Sequence, residues 1–539
     1  MKRFIIIVCA VLLLAGGTWY ASLYFGLYID LNPDTPVTVL FRTQGTEIQR
    51  QAGAGAWESM RIRGVDVSSN LPGGSVLDFE PETEDYLRWL EQIRAMGANT
   101  IRVYTLLQDD FYNAFYQYNT AREAAGEEPL WLIHGVWVND YVQYSHRDAY
   151  DDDFLQALLD DSKTLVDMLH GQRSLILGRG LGSGSYRHDV SDWVIGYILG
   201  VEWEDVTVAY TDNKYPERTS YQGTYMSTTE DATPFEAMLA QAMDNIIEYE
   251  TSRYREQRLV AFSNWPTTDP FSYTPEISDH FLKCATVDAE HIRPTEAFLS
   301  GYFASYHVYP YYPDYMNYLI TPMGTDVQEE YYAPIRGVPI LDAMEDLGIT
   351  DFQDSDGRIN TYYTYLKLLN EYHTIPVVIS EYGVSTGPGA AQRDANTGRN
   401  QGHMTEQEQG QALIDCYKDI MDAGSAGSIA FTWQDEWFKR TWNTMANVDL
   451  DNTPYWSDYQ TNEQYFGLLA FDPGEEESVC YVDGDTSEWN ESDLVIESGD
   501  MSVSMKYDEK FIYFYIQKEG FSPENDKLYI PIDTTQKTG

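Results

Sequence analysis

The sequence predicts an α/β chain built around a closed (β/α)₈ barrel, and three observations carry that expectation. Short β-branched runs alternate with helix-period segments through most of the 539 residues. Two of those runs, residues 193–201 and 377–380, are apolar at nearly every position, as strands buried on both faces are. Each is followed at once by a carboxylate, Glu202 and Glu381, and the C-terminal tip of a barrel strand is where this fold presents its chemistry. An open doubly wound sheet is the competing fold, but no glycine-rich dinucleotide fingerprint follows the first strand.

Taken in order, residues 61–67 read as the first strand and 82–96 as the helix after it. In that helix Tyr86, Leu87, Leu90 and Ile93 recur at helical spacing, and Gly97 supplies the cap. Strand two is expected at 99–104, a helix at 110–124 and strand three at 130–136. A helix at 151–169 opens with an acidic turn, which suits the helix dipole, and strand four follows at 193–201. The same alternation puts a helix at 235–253, strand five at 258–264 and strand six at 302–308. A helix at 361–372, strand seven at 377–380, a helix at 406–423 and strand eight at 428–433 complete the barrel.

The flanks differ. Lys2 and Arg3 precede an uncharged run from Phe4 to Ile29, long enough to cross a bilayer, with Trp19, Tyr20 and Tyr24 suited to the outer interface. The positive end stays inside, so the rest of the chain is expected outside the cytoplasm, on an uncleaved single-pass anchor or, if the segment is a signal peptide, secreted. Past the acidic stretch 472–477 the pattern turns to two alternating strands, 501–507 and 510–516. The expected organisation is therefore an anchor at 1–30, a β-like connector at 31–60, the barrel at 61–472 and a partial β-sandwich at 478–539.

Composition narrows the partners. A net charge of −50 argues against nucleic acid, whose phosphates require a basic footprint. Aromatic residues make up 14% of the chain, which suits surfaces that stack on sugar rings, although most rings serve core and rim. The four cysteines show no metal-ligand spacing and no disulfide framework, and chemistry carried by two carboxyl groups requires neither a metal nor an organic cofactor.

Glycosidic bond chemistry needs two carboxyl groups, one to protonate the leaving oxygen and one to attack or to activate water. Glu202 and Glu381 are the candidates. Val201 and Trp203 are expected to enclose Glu202 and favour its neutral acid form, while Arg102 beside Glu381 would keep that group ionised. The stretches 61–66, 96–104 and 379–383 resemble those of the clan A retaining glycoside hydrolases, in particular the β-1,3-glucanosyltransferase and family 2-like branches. The resemblance covers roughly residues 60–440 and implies a two-glutamate double displacement on a β-linked poly- or oligosaccharide. It makes Glu202 the acid/base and Glu381 the nucleophile, with Asp66, Arg102, Trp203, His307, Tyr309 and Trp433 around the sugar. Within that set Arg102 would support the nucleophile and Trp433 would form the sugar platform. One departure stands out: the clan places Asn immediately before the acid/base, and here Val201 occupies that position. This keeps open a catalytically silent carbohydrate-binding or surface-assembly protein. Asp483 to Trp489 resembles the opening of family 9-like carbohydrate-binding modules.

Overall fold

The structure, a computed structural model, describes residues 2–30, 34–71, 78–138, 148–176, 181–313, 316, 333–335, 337–387, 389–436, 439, 463–469, 479–480, 485–507, 512–522 and 525–530. Eight parallel strands close into a barrel: β1 (Ile62–Asp66), β2 (Thr100–Val103), β3 (Trp131–Val136), β4 (Val194–Leu199), β5 (Leu259–Asn264), β6 (Ala304–His307), β7 (Val377–Tyr382) and β8 (Gly427–Ala430). Closure is direct, because β8 pairs with β1 and β3 with β4. Each strand stands where the apolar runs predict it, within a few residues at the ends.

The helices flanking the strands follow the same logic of local sequence. Helix α1 (Lys2–Phe25) precedes the barrel, and α2 (Thr83–Met96) and α3 (Asp109–Ala124) follow β1 and β2. Beyond β3 lies α4 (Asp152–Leu169), where the Asp151 side chain accepts from the Asp153 N–H and caps the helix. Two helices follow β4, the short α5 (Asp205–Lys214), which the periodicity does not reveal, and the long α6 (Pro234–Tyr254). The latter begins with Thr233 and Glu236 in a reciprocal capping box and Pro234 in its first turn, a combination that fixes its start. After β5 comes the short α7 (Pro275–Phe281), and α8 (Thr361–Tyr372) and α9 (Glu406–Asp422) precede β7 and β8.

Residues 31–60 do more than connect. Phe41–Gln44, Glu47–Ala52 and Ala56–Ser59 form an antiparallel sheet under the barrel. Phe41 and Ile48 are buried in the same apolar cluster as Ile62, Ile133, Leu259 and Val378. Full burial of side chains of this size stabilises by about 1.5–3 kcal/mol each, so this sheet acts as the barrel's floor.

The chain divides into two compact units, Met1–Leu469 and Ala470–Gly539. In the second, Leu494–Ser498, Met501–Tyr507 and Ile512–Lys518 form a three-stranded antiparallel sheet. Its last two strands match the predicted pair with the second shifted by two residues, and Leu494–Ser498 is an addition. The expected domain boundary at 472–478 and the first two residues of the Asp483–Trp489 motif lie outside the described residues.

Candidate active site

The ends of β1, β2, β4, β6 and β7 converge on Glu381. Pairing between β6 and β7 slips here: Tyr306 faces Ile379, but His307 faces Glu381, leaving Ser380 as the extra residue. Such a bulge re-aims a side chain, and its effect is to set Glu381 level with His307. The buried carbonyl of Ser380 accepts from Arg102 Nη1 at 2.9 Å, so the guanidinium pins the bulge.

Four donors surround the Glu381 carboxylate. Oε1 accepts from the Tyr104 hydroxyl at 2.6 Å and from Arg102 Nη1 at 3.4 Å. Oε2 accepts from the Tyr309 hydroxyl at 2.8 Å, and His307 Nδ1 lies 3.3 Å away. Burial pushes the carboxyl up, but His307, Arg102, the Tyr104 hydroxyl and Lys439 outweigh it and hold the group below its ordinary 4.5. Burial drives both phenols upward, so they stay protonated and act as donors.

Asp66 completes the underside of the site. It is fully buried, with Oδ1 3.3 Å from Arg102 Nη1. Burial raises its carboxyl well above the usual range against the pull of Arg102, and Glu381 adds to the rise. The Arg102 guanidinium thus lies between the two carboxyl groups, 3.3 Å from Asp66 Oδ1 and 3.4 Å from Glu381 Oε1. The Arg102 guanidinium also lies over the Tyr104 ring, 4.4 Å from its centre. Tyr104 can sit this close because position 135 is glycine: a Cβ there would stand 2.4 Å from the Tyr104 carbonyl oxygen.

Glu202 reaches the same spot from β4. His307 Nδ1 lies 2.9 Å from its Oε1, so one ring nitrogen bridges the two glutamates. One carboxylate oxygen of each glutamate and His307 Nδ1 all lie within 4.8 Å of one another. That spacing would also accommodate a divalent cation, but the charges of Arg102 and Lys439 acting on Glu381 oppose one.

Several expectations need correction. The Glu202 side chain is 38% exposed, so Val201 and Trp203 do not enclose it. Trp203 is 0% exposed, with its ring 5.2 Å from Phe235, and offers no face to a sugar. The turn explains this, because Gly200 has φ 82° and a Cβ there would stand 2.0 Å from the indole. The glycine therefore lets the ring fold underneath while Glu202 stays on top. Trp433 is 5% exposed, its backbone N–H bonded to the Asp66 carbonyl at 2.8 Å, so its ring too offers little face to a sugar. Asp66 and Arg102 are buried beneath Glu381 and present no surface to the opening, while Arg102 lies 3.4 Å from Glu381 Oε1, as expected of a group that supports that carboxylate. His307 and Tyr309, by contrast, do touch the carboxylates.

Other groups were missed. Tyr104 shares the strand face of Arg102 at a spacing of two, the signal that would have found it. Glu436, Lys439 and Glu463 come from segments after β8 that carry no motif. Lys439 Nζ lies 2.8 Å from Glu436 Oε2. Burial pushes the Glu463 carboxyl up to about 7 against Lys439, with Glu202, Glu436 and Glu381 adding to the rise. On the rim, Trp137 is 37% exposed and meets Tyr104 edge-on at 6.0 Å.

No protein-family model matches the chain, and no curated protein matches it in sequence. Among solved structures it is similar to an exo-β-1,4-mannosidase from an Opitutaceae bacterium, strain TAV5 (12% identity, TM-score 0.38). That match covers 78% of this chain but 57% of the mannosidase. An endo-laminarinase from Formosa Hel1_33_131 is similar at 13% identity and TM-score 0.37, over 76% of this chain and 83% of that one. A hyperthermostable endo-1,4-β-D-mannanase from Thermotoga petrophila RKU-1 is similar at 11% identity and TM-score 0.34, over 74% and 98%. Likenesses at this level carry no argument about chemistry, and the barrel stands on its own strand pairing.

Proposed function

We propose that the protein is an extracytoplasmic glycoside hydrolase or transglycosylase acting on a β-linked poly- or oligosaccharide. What supports the reading is the meeting of Glu202 and Glu381, 179 residues apart in sequence, across one imidazole at the barrel mouth. Oxygens within 4.8 Å of one another suit a double displacement, in which the carboxyl groups stand about 5–5.5 Å apart, better than an inverting pair at about 6.5–9.5 Å. Glu381, held ionised by its donors, attacks the anomeric carbon. Glu202, partly open to solvent, protonates the leaving oxygen and then deprotonates the incoming water or sugar hydroxyl. His307 keeps a hydrogen on Nδ1 between the two and orients both.

Trp137 replaces Trp433 as the sugar-stacking platform in this reading, because it is 37% exposed just past the tip of β3 and adjoins Tyr104. Val201 in the place of the clan's Asn favours a second reading, a silent carbohydrate-binding protein. The two part on one experiment: the purified ectodomain is incubated with a panel of β-linked glycans, and products are followed by chromatography and by NMR of the first-formed anomer. Turnover with retention that is lost in Glu381→Gln supports the enzyme. Binding without turnover across the panel supports the silent protein.

A further inference from the structure

The floor of the barrel carries a built socket for the end of α1. Gly26 follows the helix with φ 66° and its N–H bonded to the Ser22 carbonyl at 3.0 Å. The Gly26 carbonyl accepts from Arg253 Nη1 at 2.7 Å and from the Tyr249 hydroxyl at 3.3 Å. Ser22 Oγ accepts from Arg253 Nη2 at 3.1 Å. A Cβ on Gly26 would stand 2.8 Å from Arg173 Nη1 and 3.0 Å from Asp167 Oδ2, so the backbone is pressed onto this cluster. Leu23 is 3% exposed, whereas the apolar window of α1 is uncovered. Further along, the Tyr28 hydroxyl meets Ser252 Oγ at 2.6 Å, and Asp30 pairs with Arg255. Thr38–Val39 then adds in parallel to Glu256–Gln257.

The position of this socket decides an orientation. Asp167 ends α4, Tyr249 and Arg253 end α6, and Arg255 lies in the turn into β5. Helix ends of this kind lie at the bottom of a barrel, opposite the strand tips that carry Glu202 and Glu381. At 24 residues α1 is about 36 Å long, enough to cross a hydrocarbon core of about 30 Å. Exposed Phe25, Leu27 and Ile29 beside the socket suit the interface just above that core.

We propose that α1 stays on the mature chain as its membrane anchor and that the socket clamps the barrel floor-down on the phospholipid bilayer, with the cleft opening away from it. On the carbohydrate reading above, the substrate is then a glycan presented from the far side, not a sugar carried on a lipid of the same membrane.

The test uses the full chain in phosphatidylcholine vesicles and no activity readout, so it stands or falls apart from the glycosidase reading. Cys284 is exposed on the segment that follows β5, with Sγ 3.1 Å from Asp205 Oδ2, on the cleft side. In a Cys9→Ser background it takes a donor dye, with acceptor dye on outer-leaflet headgroups. The floor reporter is Thr46→Cys with Cys284→Ser, since Thr46 lies exposed in the floor sheet's hairpin turn. Transfer is expected to be several-fold stronger from position 46 than from 284, and equal or reversed transfer overturns the orientation. Gly26→Leu jams the socket from the α1 side without touching the barrel core, and should raise transfer from Cys284 as the barrel tilts. Unchanged transfer in that variant overturns the clamp. Intact mass of protein extracted from membranes should include residues 4–30, and their loss overturns the anchor.

Discussion

The two ends of the barrel are built from the same materials and do opposite things. At the floor, the carboxylates Asp167, Glu250 and Glu256 lie among the guanidinium groups of Arg173, Arg253 and Arg258. Glu250 takes Arg258, the Tyr197 hydroxyl at 2.9 Å and His170 Nε2 at 3.1 Å, and is closed off from solvent. At the mouth, Asp66, Glu202, Glu381, Glu436 and Glu463 outnumber the cations Arg102 and Lys439. The spacing of His170, Glu250 and Glu256 is as compact as that of Glu202, His307 and Glu381. Compactness alone therefore does not mark a reactive site. What distinguishes the mouth is access: the Glu202 side chain is 38% exposed, whereas Glu250 is closed off from solvent. A buried pair at the floor costs desolvation; a carboxyl group reachable from solvent at the mouth can exchange its proton.

Substitutions can break this contrast. The largest effect is expected from Glu381→Gln, which should lower kcat/KM on the order of 10⁴-fold or more while thermal unfolding stays near wild type. A loss below tenfold would take Glu381 out of the chemistry. Glu202→Gln should cost about 10²–10⁴-fold, most with substrates whose leaving groups need protonation; an activated aryl glycoside, which needs little, should recover much of the first step.

The floor should answer differently. Arg258→Ala strands Glu250 and should destabilise the fold by about 3–5 kcal/mol in denaturant titrations, while the protein that remains folded keeps its kcat. A drop in kcat at unchanged stability would erase the distinction between the ends. Smaller still, Tyr104→Phe removes one hydrogen bond to a charged group, worth about 1.5–3 kcal/mol, and should lower kcat/KM by about 10–100-fold. The same variant sharpens a pH expectation. Glu381 must be ionised to attack, so activity falls as pH drops through its titration. With the carboxyl held below 4.5, the acid limb of kcat/KM should lie below that pH and move up in Tyr104→Phe, because a donor that favours the ionised form is gone.

Much of this was legible along the chain. A parallel strand buried on both faces needs an unbroken apolar run, so Val194–Leu199 and Val377–Tyr382 declare themselves, and the carboxylates at their tips follow. Helix α6 is legible for a similarly local reason, its capping box and first-turn proline. The length and apolarity of α1 are likewise plain from composition.

Only the folded chain decided which rings face the opening. In sequence Trp203 is expected beside the sugar and Trp433 as its platform, yet a turn permitted by Gly200 buries the first, and backbone pairing with Asp66 draws in the second. Lys439 and Glu463 join the site from segments without any shared pattern, and the register slip at Ser380 that aims Glu381 exists only between paired strands. Strand identity is written in side chains a few positions apart, whereas exposure, register and charge balance depend on groups hundreds of positions away. Local chemistry thus determined the barrel and its two glutamates. The tertiary contacts determined what holds them, and which end of the barrel they leave open.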